Sequence, residues 1–413
     1  MMISLRKLPL ACAVAGAVSL AGGTVMAECA HENTVEIKML SAGFEAWKAV
    51  ADAMGECGNF EAELDQEFRT KQPAAFAATP SLYHIGGVSN GTITPLVNEG
   101  TIRPLDDLVE KYGQDLTANQ LIRVDGKIMA IAMMVNTQHL MYRKDIFDDL
   151  GIGVPASWSD VLEASAKIKE AGVVDYPLGA TMKSGWNLAQ EFVNMFAGYG
   201  GQFYDDANMP TVNNEAGIKA LETMKAMADY LDPEYLVSDS TYVQQQFQQG
   251  KIAMANLWAS RAGAMDDDAE SQVVGKVFGT TAPIAMDGGA PATTIWWDGL
   301  VIAKNISDEE AEAAFLLMLE GLDSEMVQAN ADAAIWLIPG YEATRLAEGA
   351  IATLQANPGA AAYPSTSAMG LMHTAIGNGV SDYMTGVKDA EAALSDIEAA
   401  YLTAAQEAGL IDG

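Results

Sequence analysis

Cysteine and histidine are scarce in this 413-residue chain: three cysteines (Cys12, Cys29, Cys57) and four histidines (His31, His84, His139, His373) far apart in sequence. Without a C-x-x-C pair or a Cys/His cluster, the sequence supports no zinc site, and no metal or cofactor is expected. Basic residues are also few, 23 Lys and Arg against 55 Asp and Glu, a formal net charge of −32. Such a surface repels nucleic acid and anionic lipid, so neither is expected as a partner. The charge alone names no ligand. Only 19% of residues are charged while half are hydrophobic, which excludes a disordered chain. No internal repeat is present. The length exceeds one compact core and fits two domains.

Arg6 and Lys7 precede the apolar run Leu8 to Leu20, and Val25-Met26-Ala27 has the small-residue pattern of a cleavage site. This predicts a secretory signal peptide over residues 1–27 and a soluble exported protein. A membrane anchor is disfavoured because Pro9, Gly16, Gly22 and Gly23 interrupt a segment already short for a span. Loss of the leader leaves 21 basic against 55 acidic side chains, or −34. It also removes Cys12, leaving Cys29 and Cys57. An even count in an oxidising compartment suggests one bridge, worth ~3 kcal/mol, with two free buried thiols as the alternative.

The run Tyr242 to Arg261, YVQQQFQQGKIAMANLWASR, reads as helix, stop, strand and aromatic loop. Gln244 to Gln249 favour helix and Gly250 suits a left-handed C-cap. Lys251 to Ala255 then reads as a short buried strand with Trp258 just beyond its end. An indole at a strand's carboxyl end is where an α/β protein meets a ligand, with plain core packing the equal alternative. Phe247, Gly250, Lys251, Ala253, Met254 and Trp258 fit a phrase "FxxGKxAMxxxxxW" and so resemble the family 1 extracellular solute-binding proteins of sugar ABC transporters.

Other segments carry the same resemblance. A strand from Val35 to Leu40, a Ser41-Ala42-Gly43 turn and a helix from Phe44 make a place for polar ligand groups. Glu45 is a helix-dipole partner on the bland reading, but the stretch is similar to "SGGEA" of glucose-type binders, where the Glu accepts sugar hydroxyls. In PSLYHIGG, Pro80 to Gly87, the resemblance puts His84 at a polar ligand contact; a structural donor is the alternative. Lys127 to Val135 reads as a strand covered on both faces, and polar Asn136-Thr137-Gln138 after it suits a crossing between lobes. Trp186 falls in a loop before a helix and could form a stacking wall, with core packing as the alternative. Trp297 and Asp298 precede the buried strand Leu300 to Ala303; a buried carboxylate needs donors, and sugar hydroxyls supply them. Trp336 falls at what resembles the last crossing.

Gly87-Val88-Ser89-Asn90-Gly91 also matches G-x-S-x-G, the nucleophile elbow of serine hydrolases. Two prolines follow, in place of a buried helix, and no separate HGGG-type segment lies upstream, so Ser89 remains the minor alternative. A glycoside hydrolase built on Glu45 and Asp298 would need two carboxylates set across the scissile bond.

The resemblance implies an α/β, type II two-lobe binding protein, each lobe a sheet flanked by helices, with the ligand cleft between them. The N-terminal lobe comprises residues 28–135 plus 299–335 and the C-terminal lobe 136–298 plus 336–413. The expected ligand-binding residues are Ser41, Glu45, His84, Trp186, Trp258, Trp297, Asp298 and Trp336, none of them catalytic. The expected ligand is a small-molecule sugar, mono- or oligosaccharide, with a polyol or other small polar solute as the runner-up. The expected partners are the membrane permease subunits of an ABC transporter, and the protein is expected to be a periplasmic monomer. An organic anion would need arginines in the cleft, and few are expected there.

Overall fold

The computed structural model describes residues 29–411, so the expected leader over residues 1–27 lies outside the described residues. In chain order the strands are β1 (Asn33–Ser41), β2 (Gly58–Leu64), β3 (Ile85–Ser89), β4 (Leu121–Val124), β5 (Lys127–Asn136), β6 (Gln138–Arg143), β7 (Tyr176–Gly179), β8 (Ile252–Trp258), β9 (Val277–Thr280), β10 (Thr294–Ile302), β11 (Ile335–Trp336) and β12 (Ala361–Ala362). They build two sheets. The first runs β11-β5-β10-β3-β1-β2, with β4 on β5 and β12 on β10; the second runs β7-β8-β6-β9. The expected α/β class, with two sheets flanked by helices, is what the chain forms.

Sequence pattern accounts for each central strand. β5 reads KIMAIAMMVN, and Ile128 to Met134 are all buried because the strand lies inside the first sheet with helices over it. β8 buries all seven residues of IAMANLW. Before it, the helix Ser240–Gln248 ends at Gly250, whose φ of +71° is the left-handed value glycine adopts freely. Two helices begin with capping boxes: the Ser157 hydroxyl accepts from the Asp160 amide (3.1 Å) while the Asp160 carboxylate accepts from the Ser157 amide (2.9 Å), and Ser307 and Glu310 repeat the exchange.

Each sheet has its own core. Met39, Leu40, Trp47, Leu300 and Phe315 pack in the first, and Val161, Phe192, Leu221, Met254 and Ile376 in the second. Cys29 and Cys57 form a disulfide, Cα atoms 5.5 Å apart, tying the start of the first lobe to the end of the helix Glu45–Glu56.

The chain passes between the sheets at few points. β5 leads through Thr137 into β6, and the return runs through Thr293 into β10. These crossings are stitched together: the Thr137 hydroxyl lies 3.2 Å from both the Thr293 hydroxyl and the Thr294 carbonyl, and the Gln138 amide donates to Thr293 Oγ1 (3.2 Å). Because Trp296, Trp297 and Asp298 already pair with β5, the return falls ahead of the expected division at 298–299. Likewise Trp336 pairs with Met134 in the first sheet, and the last passage comes after it.

Candidate functional site

Between the sheets lies a cavity of about 490 Å3, within the size range of small-molecule sites. The first lobe contributes Ala42 and Phe44 after β1, Gln66, Glu67, Arg69 and Thr70 around the start of the helix Phe68–Ala77, Ser89 from β3, Asn136 from β5, and Trp296 and Asp298 from β10. The second contributes Lys183, Ser184, Trp186 and Asn187, then Asp239, Ser240 and Thr241, and finally Trp258, Ser260 and Arg261.

The indoles hold one another edge to face. Trp296 meets Trp258 at 6.0 Å and 90°, and Trp186 at 5.7 Å and 68°. Behind Trp296 stands Tyr363, ring centroids 4.0 Å apart, and behind Trp186 stands His373 at 5.0 Å, stacked. His373 Nε2 lies 3.0 Å from the Trp186 carbonyl, which can only accept, so Nε2 carries the proton. Burial pushes the imidazole down to about 4 and keeps it neutral. Nδ1 is therefore left to accept from the Tyr363 hydroxyl at 3.0 Å. A fixed tautomer thus clamps Trp186 in place. The Trp296 ring is set further by Nε1 donating to Thr294 Oγ1 (2.9 Å).

Asp298 sits where β10 breaks register between Asp298 and Gly299, an irregularity that re-aims a side chain. Gly299 is required there, since a Cβ would lie 2.4 Å from the Ile131 carbonyl oxygen. Among the described residues no donor reaches the Asp298 carboxyl. Burial raises its pKa to about 7, with the Arg69 guanidinium pulling the other way.

Of the expected residues, Trp186, Trp258 and Asp298 come together in this cavity, and the other five lie outside its lining. Ser41 is fully buried, its hydroxyl donating to the Ala42 carbonyl (3.2 Å). Glu45, at the first position of its helix, is exposed and beyond the wall; Phe44 occupies the lining instead. His84 is structural: Nδ1 accepts from the Lys38 amide (2.9 Å) and Nε2 lies 3.7 Å from Glu310. Trp336 is 3% exposed and donates to the Asn330 carbonyl (2.9 Å). Trp297 lies outside the cavity lining and packs against the buried cluster that includes Phe76 and Val88. On a strand i and i+2 share a face, so Trp296, not Trp297, accompanies Asp298. Ser89 reaches the cavity, yet its hydroxyl neighbour is Thr92 Oγ1 at 3.4 Å, and among the described residues no histidine bonds it. The expectation of few cleft arginines fails: Arg69 and Arg261, two of the six arginines among the described residues, line it, together with Lys183. Tyr363 and His373 had no local signal.

Two α/β lobes joined by hydrogen-bonded crossings around an aromatic and acidic cavity define a two-lobed binding protein. The comparisons agree. The family model described as bacterial extracellular solute-binding protein matches residues 45–321, and the chain belongs to that family. A Sinorhizobium fredii relative carrying the name "probable amino-acid ABC transporter periplasmic-binding protein" is 22% identical over 286 residues, 67% of this chain and 64% of that one. The alignments span 64% of that relative and about half of a Brucella abortus putative binding protein, 24% identical over 224 residues. A solved Agrobacterium radiobacter solute-binding protein in complex with ribitol superposes at TM-score 0.79 and 20% identity, covering 91% of this chain and all of the other. A maltose-bound T. maritima MalE3 does so at 0.78 and 19%, covering 90% of this chain and all of that one. At these identities the likeness establishes the fold.

Proposed function

We propose that this chain is the periplasmic binding component of an ABC transporter, capturing a mono- or oligosaccharide by lobe closure and delivering it unchanged to the permease subunits. One observation carries this reading: three indoles, Trp186, Trp258 and Trp296, stand beside the Asp298 carboxyl, which has no protein donor among the described residues. Indole faces cover the C–H side of a pyranose, and a carboxylate takes paired hydroxyl hydrogens at roughly 1.5–3 kcal/mol each. The ribitol and maltose bound by the two solved neighbours fit the same chemistry. The ribitol complex favours a polyol as the second reading.

The lobes turn about Thr137, Thr293 and the segment after β11. Ligand touching both walls has more contacts in the closed form and shifts the population towards it. The cavity is read as a binding site and not a catalytic one: among the described residues no histidine bonds Ser89, and Asp239, the carboxylate that the second lobe brings to the cavity, is taken up by the Thr241 and Tyr242 amides. The protein works as a monomer in the periplasm, released from residues 1–27. Amino-terminal sequencing of the exported form is expected to begin at Glu28; a start at Met1 contradicts export.

Thermal-shift screening of the purified chain against sugars, polyols, organic acids and amino acids tests the ligand class, since a specific ligand stabilises by mass action. A sugar or polyol is expected to raise Tm, and Trp186→Ala to weaken its binding roughly tenfold or more by calorimetry. Stabilisation by amino acids alone, as the Sinorhizobium relative's name would suggest, sinks this reading.

A further inference from the structure

Six arginines fall within the described residues, and four of them are ion-paired: Arg103 with Asp308 (3.0 Å), Arg123 with Asp106 (3.5 Å), Arg143 with Asp145 (2.6 Å) and Arg345 with Asp266. The other two, Arg69 and Arg261, both line the cavity, and among the described residues no carboxylate lies within 4 Å of either. In a chain whose acidic residues outnumber its basic ones 55 to 23, a guanidinium without a carboxylate needs a reason. Arg69 has no hydrogen-bond acceptor among the described residues. Arg261 meets only neutral acceptors, Ser240 Oγ at 3.0 Å and Gln244 Oε1 at 3.4 Å.

Each guanidinium is held by an aromatic ring from the opposite lobe. Arg69, from the first lobe, stands 4.8 Å from the Trp186 ring; Arg261, from the second, stands 5.5 Å from the Phe44 ring. An aromatic face fixes the guanidinium plane and leaves its N–H edge free for a planar two-oxygen acceptor. Arg69 remains accessible because it stands in the open space, while the surrounding walls still lower its pKa. The acidic groups around the cavity act on the two guanidinium groups through space, Asp298 and Glu67 on Arg69 and Asp239 and Glu45 on Arg261, without direct contact. Asp239 accepts from the Thr241 and Tyr242 amides (3.1 and 3.0 Å) and lies 3.5 Å from Lys183, Glu67 is exposed, and Asp298 is half-buried and the one cavity carboxyl that burial drives towards neutrality.

We propose that the ligand is an acidic carbohydrate, a sugar or polyol bearing one carboxylate or phosphate, whose anionic group is gripped by Arg69 and Arg261 from opposite lobes while its ring or chain lies on the indoles. This rests on the carbohydrate reading above and narrows it. An anion held by one arginine from each lobe also makes the ion pair itself the reason to close.

Calorimetry on the mature chain with matched triplets tests it: a neutral sugar or polyol, its uronate or aldonate, and its phosphate monoester. One acidic member is expected to bind roughly tenfold or more tighter than its neutral parent, and the preferred member identifies the anion. The preference is expected to shrink at about 0.5 M salt. Arg69→Gln and Arg261→Gln are each expected to bring the acid-to-neutral ratio near one, and an unchanged circular dichroism spectrum with a cooperative thermal transition reports that the variants are folded. Arg103→Gln, in a surface pair, is expected to leave the ratio unchanged. Neutral members binding as tightly as or tighter than acidic ones overturns the acidic ligand and leaves the carbohydrate reading standing. If no member of any triplet binds, or L-glutamate binds in their place, both fall.

Discussion

At Asp298 two conditions coincide: a half-buried carboxyl and no donor from the protein among the described residues. Burial stabilises the protonated form and the Arg69 charge the ionised one, with burial prevailing at about 7. Carboxyl carbon NMR on the ligand-free protein is expected to find Asp298 titrating near neutrality, far above its ordinary range. Arg69→Gln removes the opposing charge and is expected to move the titration higher still. An unchanged or lower value would show that Arg69 does not act on this carboxyl. Trp258 was legible in sequence because helix stop, short apolar strand and indole follow one another within twenty residues. Trp296 was within reach, since alternation on β10 assigns it to the face of Asp298, yet pairing Trp297 with the carboxyl ignored that alternation. Arg69 and Arg261 were not legible. The neighbours of Arg69 in sequence carry no sign of a cleft, and although Arg261 follows Trp258 by three residues, the importance of both comes from what fails to pair with them in three dimensions.

Among the elements, glycine shows how packing overrides propensity. Alanine normally improves a helix by up to about 1 kcal/mol over glycine. Gly370, on the exposed side of the helix Ser367–Met384, has nothing within 4 Å of a Cβ, and Gly370→Ala is expected to stabilise by about that amount. Gly349, in the helix Glu348–Leu354, would place its Cβ 2.6 Å from the Thr280 amide nitrogen and 2.5 Å from the His139 ring. Gly349→Ala is expected to cost about 2 kcal/mol. Urea unfolding of both variants checks that the signs oppose.

The helix Trp186–Gly198 carries the second element-scale test. Its Glu191 is 3% exposed and accepts from Gln138 Nε2 (2.8 Å) and from Thr181, at the foot of the Thr137 crossing. Burial raises its carboxyl to about 7, the two hydrogen bonds opposing. A carboxyl raised in the folded state contributes stability that is complete below its unfolded value near 4.5 and is lost as pH rises through 7, on the order of 3 kcal/mol. His139 and His373, both pushed down to about 4, act the other way and lose stability as pH falls through the same window. The Glu191→Gln variant isolates the carboxyl: its Tm relative to wild type is expected to climb from pH 4.5 to pH 7.5. A constant gap would remove Glu191 from the linkage. Capping boxes at Ser157 and Ser307 and the glycine stop at Gly250 were readable because those signals are local. This buried network joins Gln138 to the distant stretch that carries Thr181 and Glu191, and was not.

For the whole molecule, the two sheets and their crossings allow the lobes to turn as bodies. Saturating ligand is expected to lower the radius of gyration in small-angle scattering and to raise Tm in proportion to the logarithm of its concentration. An unchanged radius with a raised Tm would mean that ligand enters an already closed form. The two-lobe plan was legible from length and from the polar interruption after β5, but the return point was not, because β10 starts before its apolar run begins.

β10 lies between β5 and β3 at the middle of the first sheet, although it is synthesised only after every strand of the second sheet. The first lobe is therefore missing its central rib throughout most of synthesis. Any truncation before Thr294 leaves β5 on one side and β3, β1 and β2 on the other with no strand between them.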